Sequence, residues 1–153
     1  MRTNMVRLAA LASAMVTLTS CSSMISPGEE LASARSRWLR NGPSVYTMTI
    51  VRGCECLSEA VGPVSVFVNN GEITARYTLS GASVPKSYAA LFPGVEGLFQ
   101  LIADAQAQHY YKVDVEYDSE LGFPTKISID AVKNMIDDEY FTVVKDFNAK
   151  GFD

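Results

Sequence analysis

The chain reads as an α+β protein: an antiparallel sheet of about six strands with two amphipathic helices on one face, in the order α-β-β-β-α-β-β-β. Three observations predict it. Apolar residues recur at helical spacing in two segments and at a spacing of two in six others. Those alternating runs are joined by short connections, which suits an antiparallel sheet with one buried and one solvated face. Finally, Asn70-Gly71 separates two alternating runs, and that dipeptide is the strongest short-range hairpin signal.

In chain order, the first helix is expected from Glu29 to Arg40, with Leu31, Ala34, Trp38 and Leu39 on its apolar face. Glu29 and Glu30 lie in the first turn and Arg35, Arg37 and Arg40 toward the last, as the helix dipole favours, and Gly42-Pro43 stops it. Tyr46, Met48 and Ile50 then alternate with polar neighbours in a first strand, Val45 to Arg52. Val64, Val66 and Val68 mark the second, and Ile73, Ala75, Tyr77 and Leu79 the third. Counting outward from a two-residue turn pairs Asn69 with Glu72, Val68 with Ile73, Val66 with Ala75 and Val64 with Tyr77, which puts every apolar partner on one face. Residues 80–94 read as a loop, and Leu98, Leu101, Ile102 and Ala105 as a second helix ending near Gln108. Tyr111, Val113, Val115 and Tyr117 give a fourth strand, Ile127 and Ile129 a fifth, and Tyr140 to Phe147 a sixth with weaker alternation. Helix plus three strands occurs twice without a residue-level repeat.

Ahead of this domain, residues 1–20 carry Arg2 and Arg7, then an apolar run from Leu8 to Leu18, then Leu18-Thr19-Ser20-Cys21. The run is about half the ~20 residues a spanning helix needs, so it reads as a secretory signal. The four residues ending at Cys21 resemble the bacterial lipoprotein signal. That resemblance implies a diacylglycerol on the Cys21 thiol, cleavage just before it and acylation of the new amine. With two or three chains the protein is held stably at the bilayer. Ser22, where Asp would retain the protein, implies the outer membrane, facing the periplasm, in a Gram-negative cell. The expected division is residues 1–20 as signal peptide, 21–28 as lipidated Cys and tether, and 29–153 as one globular domain. A seven-residue tether, Ser22 to Gly28, spans at most about 25 Å.

Of 153 residues, 48% are hydrophobic and 20% charged, ordinary values for one globular domain and too small a chain for a multidomain enzyme. An isoelectric point near 5.0 excludes the electrostatic footprint of a nucleic-acid binder. Removing residues 1–20 moves the formal net charge from −4 to −6. Three Arg balanced by two Glu make the first helix a solvated face more readily than a membrane-binding one.

Three further stretches belong together: Cys54-Glu55-Cys56 after the first strand, Tyr117-Asp118 to Gly122-Phe123-Pro124-Thr125, and Ile127-Ser128-Ile129-Asp130 leading to Asp137-Asp138-Glu139. They resemble a bacterial family of secreted and lipid-anchored domains of unassigned function, with a C-x-C and a Y-D-x-x-x-G-[FY]-P-[TS]-x-I-x-I-D hairpin. The likeness covers about Tyr46 to Phe147. Leu57 stands where members often carry Pro. The resemblance implies an address and a fold, and no activity.

Few residues could carry chemistry. Cys54 and Cys56 remain after lipidation, in a compartment that favours disulfides. At i and i+2 of a strand their Cα atoms lie at or beyond the usual disulfide limit, so a bond requires a tight turn at Glu55, which Gly53 permits. One reading is a local staple shaping a loop; the other is a redox or metal-binding dithiol, for which no third ligand or resolving partner is evident. His109, the only His, could join such a site but follows a helix C-terminus, where it caps carbonyls. No nucleophile motif surrounds any Ser. Asp114 to Glu139 holds eight acids against Lys126 and Lys133, a net −6 equal to that of the whole chain after residue 20. Asp118, Glu120, Asp130, Asp137 and Asp138 flank turns and could converge on Ca²⁺, though without EF-hand spacing; alternatively they start turns and keep edges soluble. The expected function is a membrane-anchored envelope lipoprotein acting as a non-catalytic structural or binding module, partnered by the bilayer and an envelope protein, with no cofactor beyond its lipid. The alternative is a periplasmic thiol-redox or metal-handling protein using Cys54 and Cys56.

Overall fold

The computed structural model describes residues 25–54, 60–135 and 138–149. Helix α1 spans Pro27–Asn41 and begins two residues earlier than its apolar spacing suggests, because Ser26 and Glu29 form a capping box. The Ser26 hydroxyl accepts from the Glu29 N–H at 3.3 Å, and the Glu29 carboxylate accepts from the Ser26 N–H at 2.9 Å. The bond from the Ser26 backbone, then that from its hydroxyl, hold the Glu29 carboxyl below its usual range. Ala34 and Trp38 are buried and Leu31 packs against the core. Leu39, expected on the same face, is 71% exposed, since it lies about 100° around the helix from Trp38.

The strands are β1 (Val45–Gly53), β2 (Val64–Asn69), β3 (Glu72–Thr78), β4 (Lys112–Tyr117), β5 (Pro124–Asp130) and β6 (Glu139–Asn148), with α2 (Val95–Ala107) between β3 and β4. All six pair antiparallel in one sheet of order β3-β2-β1-β6-β5-β4. The α+β class and element order are as expected. Because β6 inserts between β1 and β5, the two α-β-β-β halves are not related by a two-fold axis normal to the sheet, which would pair β1 with β4. Residues 80–94, expected as plain loop, contain a single 3₁₀ turn at Ala89–Leu91 and deliver Phe92 to the core with no exposure. Among the described residues no helix is long and apolar enough to cross a membrane.

Helix–sheet packing makes one core. Met48, Ile50, Val64, Val66, Ile127 and Ile129 from the sheet meet Leu98, Phe99 and Ile102 of α2. At one end an aromatic group closes it: Trp38 stands edge-on to Tyr46, Phe123 and Phe147, while Phe123 and Phe147 stack at 4.3 Å. The Tyr46 hydroxyl accepts from the Val95 N–H at 2.9 Å and so caps α2 from the sheet. Burial of the Tyr46 ring raises its phenol pKa despite that bond.

Three bulges set the parity of the strands. In the β2–β3 hairpin, Asn70 and Gly71 both have positive φ, 51° and 81°, as a type I′ turn requires. The pairs Asn69–Glu72 and Val68–Ile73 form as expected, but Thr74 is then inserted, so Val66 faces Arg76 rather than Ala75 and Val64 faces Thr78 rather than Tyr77. The slip turns Arg76 inward, where its Nε donates to the Phe92 carbonyl at 2.6 Å, and turns Tyr77 outward, edge-on to Phe67. Leu79 lies beyond the strand and is exposed. In the β4–β5 hairpin, Thr125 is the inserted residue. Both threonine hydroxyls donate to the opposite strand, Thr74 to the Phe67 carbonyl and Thr125 to that of Glu116. The third irregularity, where Thr47 pairs Asn148 but Thr49 pairs Lys145, includes Asp146 at φ 49° and brings Phe147 into the aromatic group.

Candidate functional site

The helices cover one face of the sheet, and the other holds a hollow of about 770 Å³ near the end of β1. Strand register builds it. Asp114 pairs Ser128, Ser128 pairs Phe141 and Phe141 pairs Gly53, one row across four strands; Lys112, Asp130 and Glu139 form the next row. The Phe141 ring lies across Gly53, where a Cβ would collide with it, so the glycine lets the ring form an apolar floor. Cys54, Met135 and Tyr140 complete the rim.

The floor is apolar and the wall charged. Lys112 Nζ meets Asp114 Oδ2 at 2.6 Å. That hydrogen bond and charge, with Asp130 adding, raise the Lys112 pKa, so the amine stays protonated and is a poor nucleophile. Asp130 Oδ1 is buried with no hydrogen-bond partner among the described residues. A ligand that carries a positive charge suits this carboxylate-rich wall and aromatic floor.

The expected site residues separate into two groups. Asp118 and Glu120 lie in the β4–β5 turn at one end of the sheet, and Asp118 Oδ1 accepts from the N–H groups of Glu120 and Leu121. Asp130 and Asp138 lie at the other end, where Asp138 Oδ2 accepts from the Val132 N–H at 2.6 Å. A strand of seven residues separates the groups by about 20 Å. They do not converge, and among the described residues no three His, Cys, Asp or Glu side chains could hold a metal ion together. His109 sits just past α2 at φ 55°, its N–H donating to the Gln106 carbonyl. Cys54 has a bonding partner. Cys21, Cys56 and Asp137 lie outside the described residues. On α1, Arg35 pairs with Glu96 at 3.0 Å, Arg37 donates to the Ser119 carbonyl and Arg40 to Ser36, so all three arginines have intramolecular partners.

Sequence reasoning did not select Lys112, Asp114, Glu139 or Phe141 for the site. In sequence they are solvated members of alternating strands; the consecutive pairings of β4 with β5 and β5 with β6 make them neighbours, and the insertion of β6 between β1 and β5 adds Gly53 and Cys54 beside them. Neither a curated protein nor a solved structure matches this chain. A family model matches residues 30–149, most of the chain and the whole sheet, and the chain therefore belongs to DUF6174, a family of unknown function.

Proposed function

We propose that this chain is a lipid-anchored cell-envelope domain, acylated on Cys21, that serves as a non-catalytic structural or binding module; in a Gram-negative cell it sits at the outer membrane and faces the periplasm. The observation that carries this reading is Leu18-Thr19-Ser20-Cys21 after a basic start and an apolar run too short to span a bilayer. The described helix supports it, since the cap at Ser26 leaves only Ser22 to Ile25 between the anchor and the fold. The binding half of the proposal rests on the hollow, whose charged wall of Lys112, Asp114 and Glu139 and apolar floor of Phe141 suit holding a polar group more than transforming it. Cys54, at its rim, is read as forming a local staple with Cys56.

Fractionation of cells making the full chain tests the anchor. The protein should stay with membranes through a high-salt wash, with diacylglycerol and acyl mass on Cys21, and Cys21→Ala should be soluble or remain a precursor. Membrane retention of Cys21→Ala would refute the anchor. Thiol titration of the denatured protein tests the staple: no thiol from Cys54 and Cys56 before reduction agrees with it, and two free thiols with stoichiometric zinc would favour the metal-handling alternative.

A further inference from the structure

Hydrogen bonds locate the start of the domain relative to its exposed apolar side chains. Gln106 near the end of α2 donates to the Pro27 carbonyl, Tyr110 N–H donates to the Ala105 carbonyl, and Tyr111 N–H donates to the Ala131 carbonyl. This chain of contacts brings the N-terminus of α1, the C-terminus of α2, the start of β4 and the segment after β5 to one end of the molecule. Four large side chains there are open to solvent: Ile25 at 69%, Met135 at 55%, Tyr111 at 52% and Val132 at 47%. Lys133 lies 5.4 Å from the centre of the Tyr111 ring.

We infer that this end is a bilayer-contacting surface, with Ile25, Tyr111, Val132 and Met135 resting in the headgroup–acyl boundary; the inference rests on lipidation at Cys21. Five residue steps from Cys21 to Ser26 reach at most about 18 Å. A domain of about 120 residues has a radius of gyration near 14 Å, so its opposite end cannot turn to the membrane on such a tether. Apolar side chains grouped with a tyrosine and a lysine at that distance match what interfacial contacts use. The surrounding charge selects the kind of contact. Lys112 and Lys133 are outnumbered by Asp114, Asp130, Asp138 and Glu139, so attraction to anionic headgroups is not the driving force and the contact is apolar insertion into a zwitterionic surface.

Full-length lipidated protein in phosphatidylcholine vesicles containing brominated lipid tests this. Trp38, the only native tryptophan, is buried. Met135→Trp should lose its added emission to the bromines, and the loss should persist in high salt; Leu39→Trp, at the far end of α1, should keep its emission. Val132→Trp reads the same surface should Met135→Trp fold poorly. Vesicle-bound protein with no quenching at 132 and 135, or equal quenching at 39, would overturn the surface and leave the anchor standing. Protein that does not float with vesicles would remove the anchor and this inference together. Absent quenching with a dimer dissolved by Met135→Asp would overturn the proposal and give the patch to a second copy.

Discussion

The two ends of the sheet are built on different principles. At the hairpin end, short polar turns are tied to the helices: Gly122, at φ 86°, lies so close to Ala34 and Arg37 that a Cβ would collide with both, and Arg37 and Asn41 donate to the carbonyls of Ser119 and Glu120. The aromatic group of Trp38, Phe123 and Phe147 packs behind them. At the Cys54 end, one oxygen each of Asp130 and Asp138 has no donor among the described residues, the hollow opens, and Ile25, Tyr111, Val132 and Met135 are exposed. The difference teaches a division of labour: one end holds the fold, and the other is free to make contacts.

The strongest way to break this comparison is to damage each end in turn. Gly122→Ala forces a positive φ and a collision with α1 and should cost about 2–4 kcal/mol in urea unfolding. The double variant Val132→Ser, Met135→Ser should stay within about 0.5 kcal/mol, as surface changes do. Equal costs would erase the distinction.

A titration sharpens it next. Burial, with Glu30 adding, pushes the Tyr117 phenol up to about 12. A raised pKa stabilises the fold fully below the unfolded value near 10 and progressively less as pH rises through 12. Thermal stability should therefore fall between pH 10 and 12, and Tyr117→Phe should flatten that fall; an unchanged profile would contradict it. Tyr46 and Tyr140, raised by their own burial, leave a remainder.

A smaller effect is expected at the start of α1. Ser26→Ala should cost about 1 kcal/mol at neutral pH. Because Glu29 is lowered, the stabilisation it gives is present above its unfolded value near 4.5 and is lost as pH falls through the lower folded one. The variant should consequently show a shallower acid dependence than the parent in thermal melts.

Much of this fold was legible in the sequence, and the exceptions share a cause. Periodicity located every strand and both helices, and Asn70-Gly71 fixed the first two pairs of its hairpin. The insertions at Thr74 and Thr125 escaped notice because threonine is an ordinary strand residue, yet one extra residue reverses every side chain beyond it. That is why Arg76 faces inward and Tyr77 outward. The weak alternation of β6 did have a physical source, the irregularity near Asp146 that turns Phe147 inward. Of the site, sequence singled out Cys54 and Asp130; Lys112, Asp114, Glu139 and Phe141 read there as ordinary solvated strand residues, and the placing of β6 beside β1, which sets Gly53 and Cys54 against them, is a strand order that no local pattern encodes.

The smallest expected effect concerns the acids, which strand length keeps in two groups. A Ca²⁺ site of extracellular type, with Kd about 10⁻⁴–10⁻³ M, would add roughly 1.4–2.7 kcal/mol at about 10 mM Ca²⁺. No shift beyond a NaCl control of equal ionic strength is expected, and a shift abolished by Asp130→Asn would show that the Cys54 end assembles a cation site after all.

Hydrogen exchange compares the two ends most directly. Lipidated protein in phosphatidylcholine vesicles, set against soluble Cys21→Ala, should exchange more slowly at Tyr111 and at Val132 to Met135 and identically at Glu120 to Gly122. Slowing at the β4–β5 turn instead, or at neither end, would contradict the account.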